Sequence, residues 1–156
     1  MKIYNKLRDI LYKYLFILYD SEPVGKLNKG EYFSVDESLI THKNNMKVWL
    51  IGFINSSTKD FRIQATYVRD ENTLSKFIKK YVQRGNYISS DGLSTYNFLD
   101  APNSGYIHAR HINGGGDFLL GVQSTSHIES IWNTIKGYIK QSYHIIQKKC
   151  SSFCKK

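Results

Sequence analysis

Three acidic residues occupy positions at which a carboxylate is unusual. Asp36 lies within the strand-like run FSVDES, Asp91 ends the short run ISSD, and Glu129 follows Ile128 in SHIESIW. Aspartate is disfavoured inside strands, and the burial of a charge without a partner is costly. Each position also has an ordinary explanation, because Asp-Gly pairs form turns and the helix dipole favours glutamate in a first turn. None of the three therefore identifies a functional site by itself.

The three carboxylates would have a chemical role if the fold brought them together. Carboxylates that share a site repel one another unless cations neutralise them, and their hard oxygen atoms suit Mg²⁺ or Mn²⁺. Two such ions about 4 Å apart activate a water or a 3′-hydroxyl and stabilise the leaving oxygen in phosphodiester chemistry. We therefore consider Asp36, Asp91 and Glu129 as candidate metal ligands and catalytic residues.

The first half of the chain predicts an antiparallel sheet. Three apolar or alternating segments joined by short polar turns are typical of a meander: EYFSVDESLI, MKVWLIGFI and FRIQATYVR. The second segment is apolar enough to be a central strand. Alternation in the third predicts one common face formed by Phe61, Ile63, Ala65 and Tyr67.

The second half alternates helices with strands. Apolar residues recur at three-four spacing in DENTLSKFIKKYVQR, with Asp70 as the N-cap and Gly85 as the C-terminal stop. A short strand ending at Asp91, a brief helix around LSTYNFL and a fifth strand, GYIHARHI, come next. A glycine-rich loop, NGGGDFLLG, then leads to a last helix over residues 125–147.

This order predicts an α/β fold of the ribonuclease-H-like kind, a mixed five-stranded sheet flanked by helices. Long crossover helices imply parallel neighbours, whereas the opening meander is antiparallel. Strands one and four are neighbours in this topology, so Asp36 and Asp91 converge at one edge of the sheet and the last helix brings Glu129 across. Glu37 points to the opposite side of its strand from Asp36, so we expect it to be a poor metal ligand.

Composition restricts the partners and the compartment. The formal net charge of +9 favours polyanions, either nucleic acid or anionic lipid. Cys150 and Cys154 have no nearby His/Cys pair with which to bind zinc and indicate no disulfide framework, which favours a reducing compartment over secretion. The first segment, MKIYNKLRDILYKYLFILYD, is interrupted by charges and is apolar at helical spacing. We expect an amphipathic helix there rather than a membrane span, with binding to a membrane surface as the alternative.

Four motifs resemble, in their order, the catalytic domain of Merlin-type DDE transposases and their bacterial insertion-sequence relatives. The chain carries FSVDES, VWLIGFI, ISSDGLSTY and TSHIESIWNTIK. The family carries (I/V)-D-E-(S/T), a strand with W-x-x-G, (S/T)-D-G-x-x-x-Y and I-E-x-x-W-x-x-(L/I)-K. The segments KLRDIL and PVGKLNKGEYFSVDES are similar to the family's approach to its first aspartate, so the resemblance extends from about Leu7 to Tyr143.

The resemblance implies a DDE transposase domain that cleaves DNA and transfers the strand with Mg²⁺ or Mn²⁺, two ions being expected. Asp36, Asp91 and Glu129 match its catalytic, metal-binding triad. Lys136 matches a helix lysine that is expected to contact DNA phosphate, with a solvated basic face as the alternative. We assign Trp132 to the core rather than to base stacking.

The chain also departs from the family pattern. Ser126 and His127 stand where an asparagine usually precedes the glutamate, and Gly137 replaces an arginine after the lysine. A histidine often follows the asparagine of the loop after strand five, where this chain has a run of glycines. His108 and His111 could face the site, although exposed histidines near a strand end are commoner. These changes leave the triad intact and concern the DNA contacts.

The resemblance divides the chain into three parts. Residues 1–22 are predicted as a helix packed on or leading into the core, 23–147 as the ribonuclease-H-like DDE catalytic domain, and 148–156 as a basic tail. Full-length members carry an N-terminal zinc-binding or helix-turn-helix segment, so we expect recognition of element ends to lie outside this chain. The expected partners are DNA and a second copy of the chain, with no membrane; the expected location is nuclear in a eukaryote or cytoplasmic in a bacterium, without secretion.

Three functions remain open from the sequence. The first is the metal-dependent transposase catalytic domain, which the intact acidic triad favours. The second is a catalytically silent, transposase-derived DNA-binding module, and the third is a nuclease of the same fold.

Overall fold

The computed structural model describes residues 23–43, 46–112, 115–116 and 126–153. The helix predicted over residues 1–22 lies outside these ranges. Within them, no helix is long and apolar enough to cross a membrane. The elements are β1 Tyr32–Lys43, β2 Met46–Asn55, β3 Phe61–Thr66, α1 Glu71–Tyr81, β4 Tyr87–Asp91, a 3₁₀ helix Ser94–Asp100, β5 Ile107–Ile112, β6 Gly115–Gly116 and α2 Ser126–Phe153.

The strands form one mixed sheet in the order β3-β2-β1-β4-β5-β6. β1, β2 and β3 are the predicted antiparallel meander, while β4 pairs in parallel with both β1 and β5. The predicted adjacency of the first and fourth strands is therefore confirmed. The predicted five strands are extended by β6, which pairs antiparallel with the end of β5 and lies in the segment predicted as a glycine-rich loop.

Side-chain alternation along β1 separates two hydrophobic clusters, one on each face of the sheet. Phe33 and Val35 belong to the larger cluster, which the apolar side of α1 and residues of the 3₁₀ helix complete. On the other face, Ile128 and Trp132 of α2 pack against the sheet. β3 is an edge strand, and only Ile63 of its predicted apolar face packs in this second cluster, while Phe61 and Ala65 are exposed.

The helix α1 forms as its sequence predicts. The Asp70 carboxylate accepts a hydrogen bond from the Thr73 N–H and so satisfies one of the free donors of the first turn. The helix ends at Tyr81, earlier than the predicted stop, because Val82 turns extended and bridges to Val24. Gly85 instead forms the turn into β4, with φ of +86° and no room for a Cβ.

The last helix is longer than expected. α2 begins at Ser126, one residue from the predicted start, and continues to Phe153 instead of ending at residue 147. At 1.5 Å per residue, 28 residues span about 42 Å. Its first turns contact β1 and β2, and this contact places the predicted helix glutamate next to the sheet.

Candidate active site

Asp36 and Asp91 lie side by side on neighbouring parallel strands. The pairing of β1 with β4 runs from Tyr32↔Tyr87 to Ser34↔Ser89. Carried two residues further, the same register puts Asp36 level with Asp91, at the carboxyl end of β4. Residues that are level on adjacent strands project from the same face of a sheet. The structure thus brings together the two aspartates that the sequence predicted to converge.

Trp132 holds the Asp36 carboxylate from the side of α2. The indole Nε1–H donates a hydrogen bond of 2.9 Å to Asp36 Oδ2. Gly52 pairs with Asp36 across β1 and β2, and a Cβ there would lie 2.7 Å from the Trp132 ring. The absence of a side chain at Gly52 therefore lets the indole approach the strand. Trp132 is 3% exposed, in agreement with its assignment to the core, and it has a polar contact that the sequence did not predict.

The second aspartate is held at the end of β4. Asp91 Oδ1 accepts a hydrogen bond from the Leu93 N–H at 3.1 Å, which ties the carboxylate to the chain that leaves the strand. On β5, His111 is the register partner of Asp91 and projects from the same face. Of the two histidines considered from the sequence, His111 is therefore the one that faces the carboxylates.

The other histidine, His108, contacts the end of β4 through Ser90. His108 is buried, with Nε2 2.8 Å from Ser90 Oγ and Nδ1 2.7 Å from Asp100 Oδ1. Burial lowers the pKa of His108, and Asp100 opposes that shift. A neutral ring with its proton on Nδ1 fits the contact with the Asp100 carboxylate. The Ser90 hydroxyl also donates to the Asp91 carbonyl oxygen at 2.9 Å, so its one proton is shared between that oxygen and Nε2. The arrangement resembles a nucleophilic triad, but Ser90 is 0% exposed, so its role is structural.

Glu37 joins the carboxylate cluster, contrary to expectation. One oxygen from each of Asp36, Glu37 and Asp91 lies within 4.8 Å of the others. The alternation that directs Glu37 to the opposite face from Asp36 is observed, because its cross-strand partner Ile51 lies in the larger hydrophobic cluster with Phe33 and Val35. The expectation that its side of the strand makes Glu37 a poor metal ligand is not supported by its position, because its carboxylate lies close to those of Asp36 and Asp91.

Two carboxyls of this cluster have raised pKa values, and burial is the main cause. Burial, followed by the charge of Asp91, raises the pKa of Glu37 to about 7. Burial also raises the pKa of Asp36, with further contributions from Asp91 and Glu129, while the Glu37 N–H and the Trp132 indole oppose the shift. Crowded, desolvated carboxylates with raised pKa values are stabilised by a nearby cation.

Glu129 lies in the first turn of α2, one turn before Trp132 on the same side of the helix. It is exposed, and it is near enough to Asp36 to raise the pKa of that carboxyl. Its oxygens do not complete the group of atoms within 4.8 Å that Asp36, Glu37 and Asp91 form in the described residues. Lys136, two turns further along α2, is exposed and lies on the same side of the helix.

The donor set of the cluster fits a hard divalent cation. Mg²⁺ is bound in proteins through carboxylate oxygens and retained waters, and the cluster supplies three carboxylates. Among the described residues, Glu37 Oε1 is a buried oxygen without a hydrogen-bond partner. Such an atom is rare in a folded protein unless an ion or water satisfies it. Among the described residues, Asp36, Glu37 and Asp91 are therefore a group that could hold a metal ion.

The family model of the ISXO2-like transposase domain matches residues 23–152. The chain belongs to this transposase family. The predicted DDE-type transposase domain is thereby confirmed, while the closer likeness to Merlin elements stays a prediction. A search of curated proteins finds no match.

Solved structures resemble the fold of this transposase domain at low sequence identity. A chain of the simian T-cell lymphotropic virus intasome, solved in complex with the PP2A regulatory subunit B56 gamma, matches with a TM-score of 0.56 and 12% identity. That match covers 80% of this chain and 46% of the viral chain, so the domain spans about half of its length. The trimeric HTLV-2 integrase catalytic core, solved in complex with magnesium, has a TM-score of 0.48 at 11% identity, covering 76% of this chain and 74% of that one. The intasome chain supports the ribonuclease-H-like fold.

Proposed function

We propose that this transposase domain is catalytic and performs metal-dependent cleavage and strand transfer of DNA. The observation that carries the proposal is the carboxylate cluster of Asp36, Glu37 and Asp91, whose oxygens lie within 4.8 Å of one another at the end of a parallel strand pair. The strand register and the Trp132 hydrogen bond hold these groups in place, so that little reorganisation is needed for them to act.

The proposed cofactor is Mg²⁺ or Mn²⁺, with two ions at the site during reaction. When bound, the metal would polarise the scissile phosphate and lower the pKa of an attacking water or 3′-hydroxyl. Asp36 and Asp91 are the ligands that both the family motif and the geometry support. Glu129 is proposed as the third family ligand. It lies in the first turn of α2, and it is close enough to Asp36 for its charge to raise the pKa of that carboxyl.

The proposed substrate is DNA. The net charge of +9 favours binding to a polyanion, although the cluster itself is acidic. Lys136 is proposed to contact a DNA phosphate, since it is exposed on the same side of α2 as Glu129. A second copy of the chain is a further proposed partner.

A cleavage assay tests this proposal. Purified protein is incubated with Mn²⁺ or Mg²⁺ and labelled DNA, beside Asp36→Asn, Asp91→Asn and Glu129→Gln. Matched controls are Asp60→Asn, on an exposed turn, and Glu71→Gln, a first-turn glutamate of α1. We expect the first three variants to lose activity and the two controls to retain it.

The products separate the remaining functions. Strand joining after cleavage supports a transposase, whereas nicking without joining identifies a nuclease. Salt-sensitive DNA binding without cleavage identifies a silent binding module. Cleavage that survives Asp36→Asn or Asp91→Asn would refute the assignment of the site.

A further inference from the structure

The Arg69 guanidinium lies over an aromatic ring near the carboxylate cluster. Its guanidinium carbon is 4.0 Å from the centre of the Trp49 ring, within the range of a cation–π contact. Trp49 of β2 pairs with Leu39, and Ile51, two residues along, pairs with Glu37. Because side chains two apart on a strand share a face, Trp49 and Glu37 lie on the same side of the sheet. We call Arg69 and Trp49 together the arginine platform.

The backbone around Arg69 is fixed on both sides. The Val68 N–H donates a hydrogen bond to Thr66 Oγ1, and the Thr66 hydroxyl lies 2.8 Å from the Val68 carbonyl oxygen, which defines the turn that leaves β3. Asp70, the next residue, is the N-cap of α1. Stacking on Trp49 then limits the side chain itself. A group held in this way loses less conformational entropy when it binds a ligand.

No residue in the described ranges accepts a hydrogen bond from the Arg69 guanidinium. Arg69 lowers the pKa of Glu37, so it lies within electrostatic reach of the cluster. Within the described part of the chain, however, Arg69 forms no salt bridge or hydrogen bond, and it interacts with the Trp49 ring and, through its charge, with Glu37. Neutralising Glu37 through a direct ion pair therefore does not account for its position. A guanidinium that makes a cation–π contact still has N–H donors in a planar fork that matches the geometry of phosphate.

We propose that the arginine platform binds a backbone phosphate of the DNA strand at the carboxylate cluster, on the side of α1. This inference rests on the proposed function for the place of the reacting DNA. The cluster is acidic and repels a phosphodiester, so a fixed cation at its border would position the strand. Trp49 acts on the DNA through Arg69 and is a positioning residue.

Binding without cleavage provides the test. The dissociation constant of a fluorescently labelled 30-base-pair duplex is measured by anisotropy over a range of salt, with Ca²⁺ replacing Mg²⁺ and gels confirming intact DNA. Loss of one phosphate contact lowers the slope of log K against log salt by about 0.9 for duplex DNA. We expect Arg69→Gln to show this change and to bind about tenfold more weakly at low salt, as for a lost charge-assisted hydrogen bond.

Arg84→Gln is the charge-matched control. Arg84 packs against Gly105 and precedes β4, whereas Asp91 ends that strand, so the control removes the same charge at the opposite end of the sheet. We expect its salt slope to match that of the wild type. Equal changes in the Arg69 and Arg84 variants would overturn the proposal, because they would show an effect of net charge alone.

Further variants keep the test independent of folding. Arg69→Lys should retain the slope but bind more weakly, because lysine keeps the charge and loses the planar fork. Trp49→Phe should bind like the wild type and Trp49→Leu should lose affinity; the reverse order would overturn the role of the ring. Arg69-dependent binding by a protein that never cleaves DNA would refute the proposed catalysis and support the platform. Cleavage with no specific effect of Arg69→Gln would refute the platform alone.

Discussion

The buried carboxyl of Glu37 makes the metal-free protein less stable as pH rises. Burial and the nearby Asp91 raise its pKa from 4.5 to about 7. Between these values the folded protein keeps a proton that the unfolded chain has released. The free energy of unfolding therefore decreases with pH in this window: the contribution is fully present below pH 4.5 and is lost as pH rises through about 7.

The size of the effect follows from the shift. The difference between 4.5 and about 7 corresponds to about 3 kcal/mol, at 1.36 kcal/mol per pKa unit. Glu37 is not fully buried, and screening by solvent reduces the effect to roughly 2 kcal/mol. For a chain of this size, this is a change of roughly 4–8 °C in melting temperature.

Glu37→Gln tests this reasoning, because glutamine has nearly the shape of the protonated acid and never ionises. Thermal unfolding is followed by calorimetry in EDTA at pH 5 and pH 8, with Glu71→Gln as the exposed control. We expect Glu37→Gln to melt close to the wild type at pH 5 and roughly 4–8 °C above it at pH 8. A variant that is less stable than the wild type at pH 8, or equally displaced at both pH values, would refute the buried repulsion.

Addition of Mg²⁺ at pH 8 extends the same experiment. A ligand that binds only the folded state at 100 times its dissociation constant stabilises by about 2.7 kcal/mol. We expect Mg²⁺ to raise the melting temperature of the wild type more than that of Glu37→Gln, because the ion relieves a repulsion that the variant lacks. Equal increases in the two proteins would show that Glu37 does not face the bound ion.

Three further predictions concern the groups around the cluster. Gly52→Ala should lower the free energy of unfolding in urea by about 1–3 kcal/mol, because the added Cβ would meet the Trp132 ring. Gly137→Ala is the control: a Cβ there meets nothing within 4 Å, and the substitution should raise the free energy of unfolding by about 0.5–1 kcal/mol. Trp132→Phe should reduce the rate of DNA cleavage about ten- to hundredfold and shift the acid limb of the pH–rate profile to higher pH, because Asp36 loses a hydrogen-bond donor that lowers its pKa. An acid limb at the same pH as in the wild type would contradict this role of Trp132. Since the pKa of His108 is lowered, its contribution to the free energy of unfolding is present above pH 6.5 and is lost as pH falls. The difference in the free energy of unfolding between the wild type and His108→Gln should therefore become smaller from pH 7 to pH 5. A larger difference at pH 5 would contradict the neutral form of His108.

Local patterns in the sequence predicted much of the frame of the site. Period-two alternation located the strands, and the change to period 3.6 located α1 with its Asp70 cap. The order of these elements then predicted that Asp36 and Asp91 would be neighbours, which the parallel register of β1 and β4 confirms. Such predictions succeed because they depend on the direction of backbone and Cβ, which periodicity determines.

The remaining features depend on side-chain reach and distant partners. Alternation gave the correct side for Glu37 but could not show that its carboxylate lies close to those of Asp36 and Asp91. The sequence left His108 either facing the site or exposed, and only the structure shows that its side chain is buried against Ser90 and Asp100. The W-x-x-G motif was recognised only by its resemblance to the family, and no physical reason for its tryptophan and glycine was evident from the sequence. In the structure, Trp49 stacks on Arg69 on one face and Gly52 admits Trp132 on the other.

Anomalous diffraction from crystals soaked in Mn²⁺ tests the central claim most directly, because it locates the metal without relying on activity. We predict at least one manganese peak within coordination distance of carboxylate oxygens of both Asp36 and Asp91, and its loss in Asp36→Asn crystals. The same map shows whether Glu37 or Glu129 supplies a further ligand. Manganese bound only elsewhere, or absent from this cluster at concentrations that support DNA cleavage, would contradict the account.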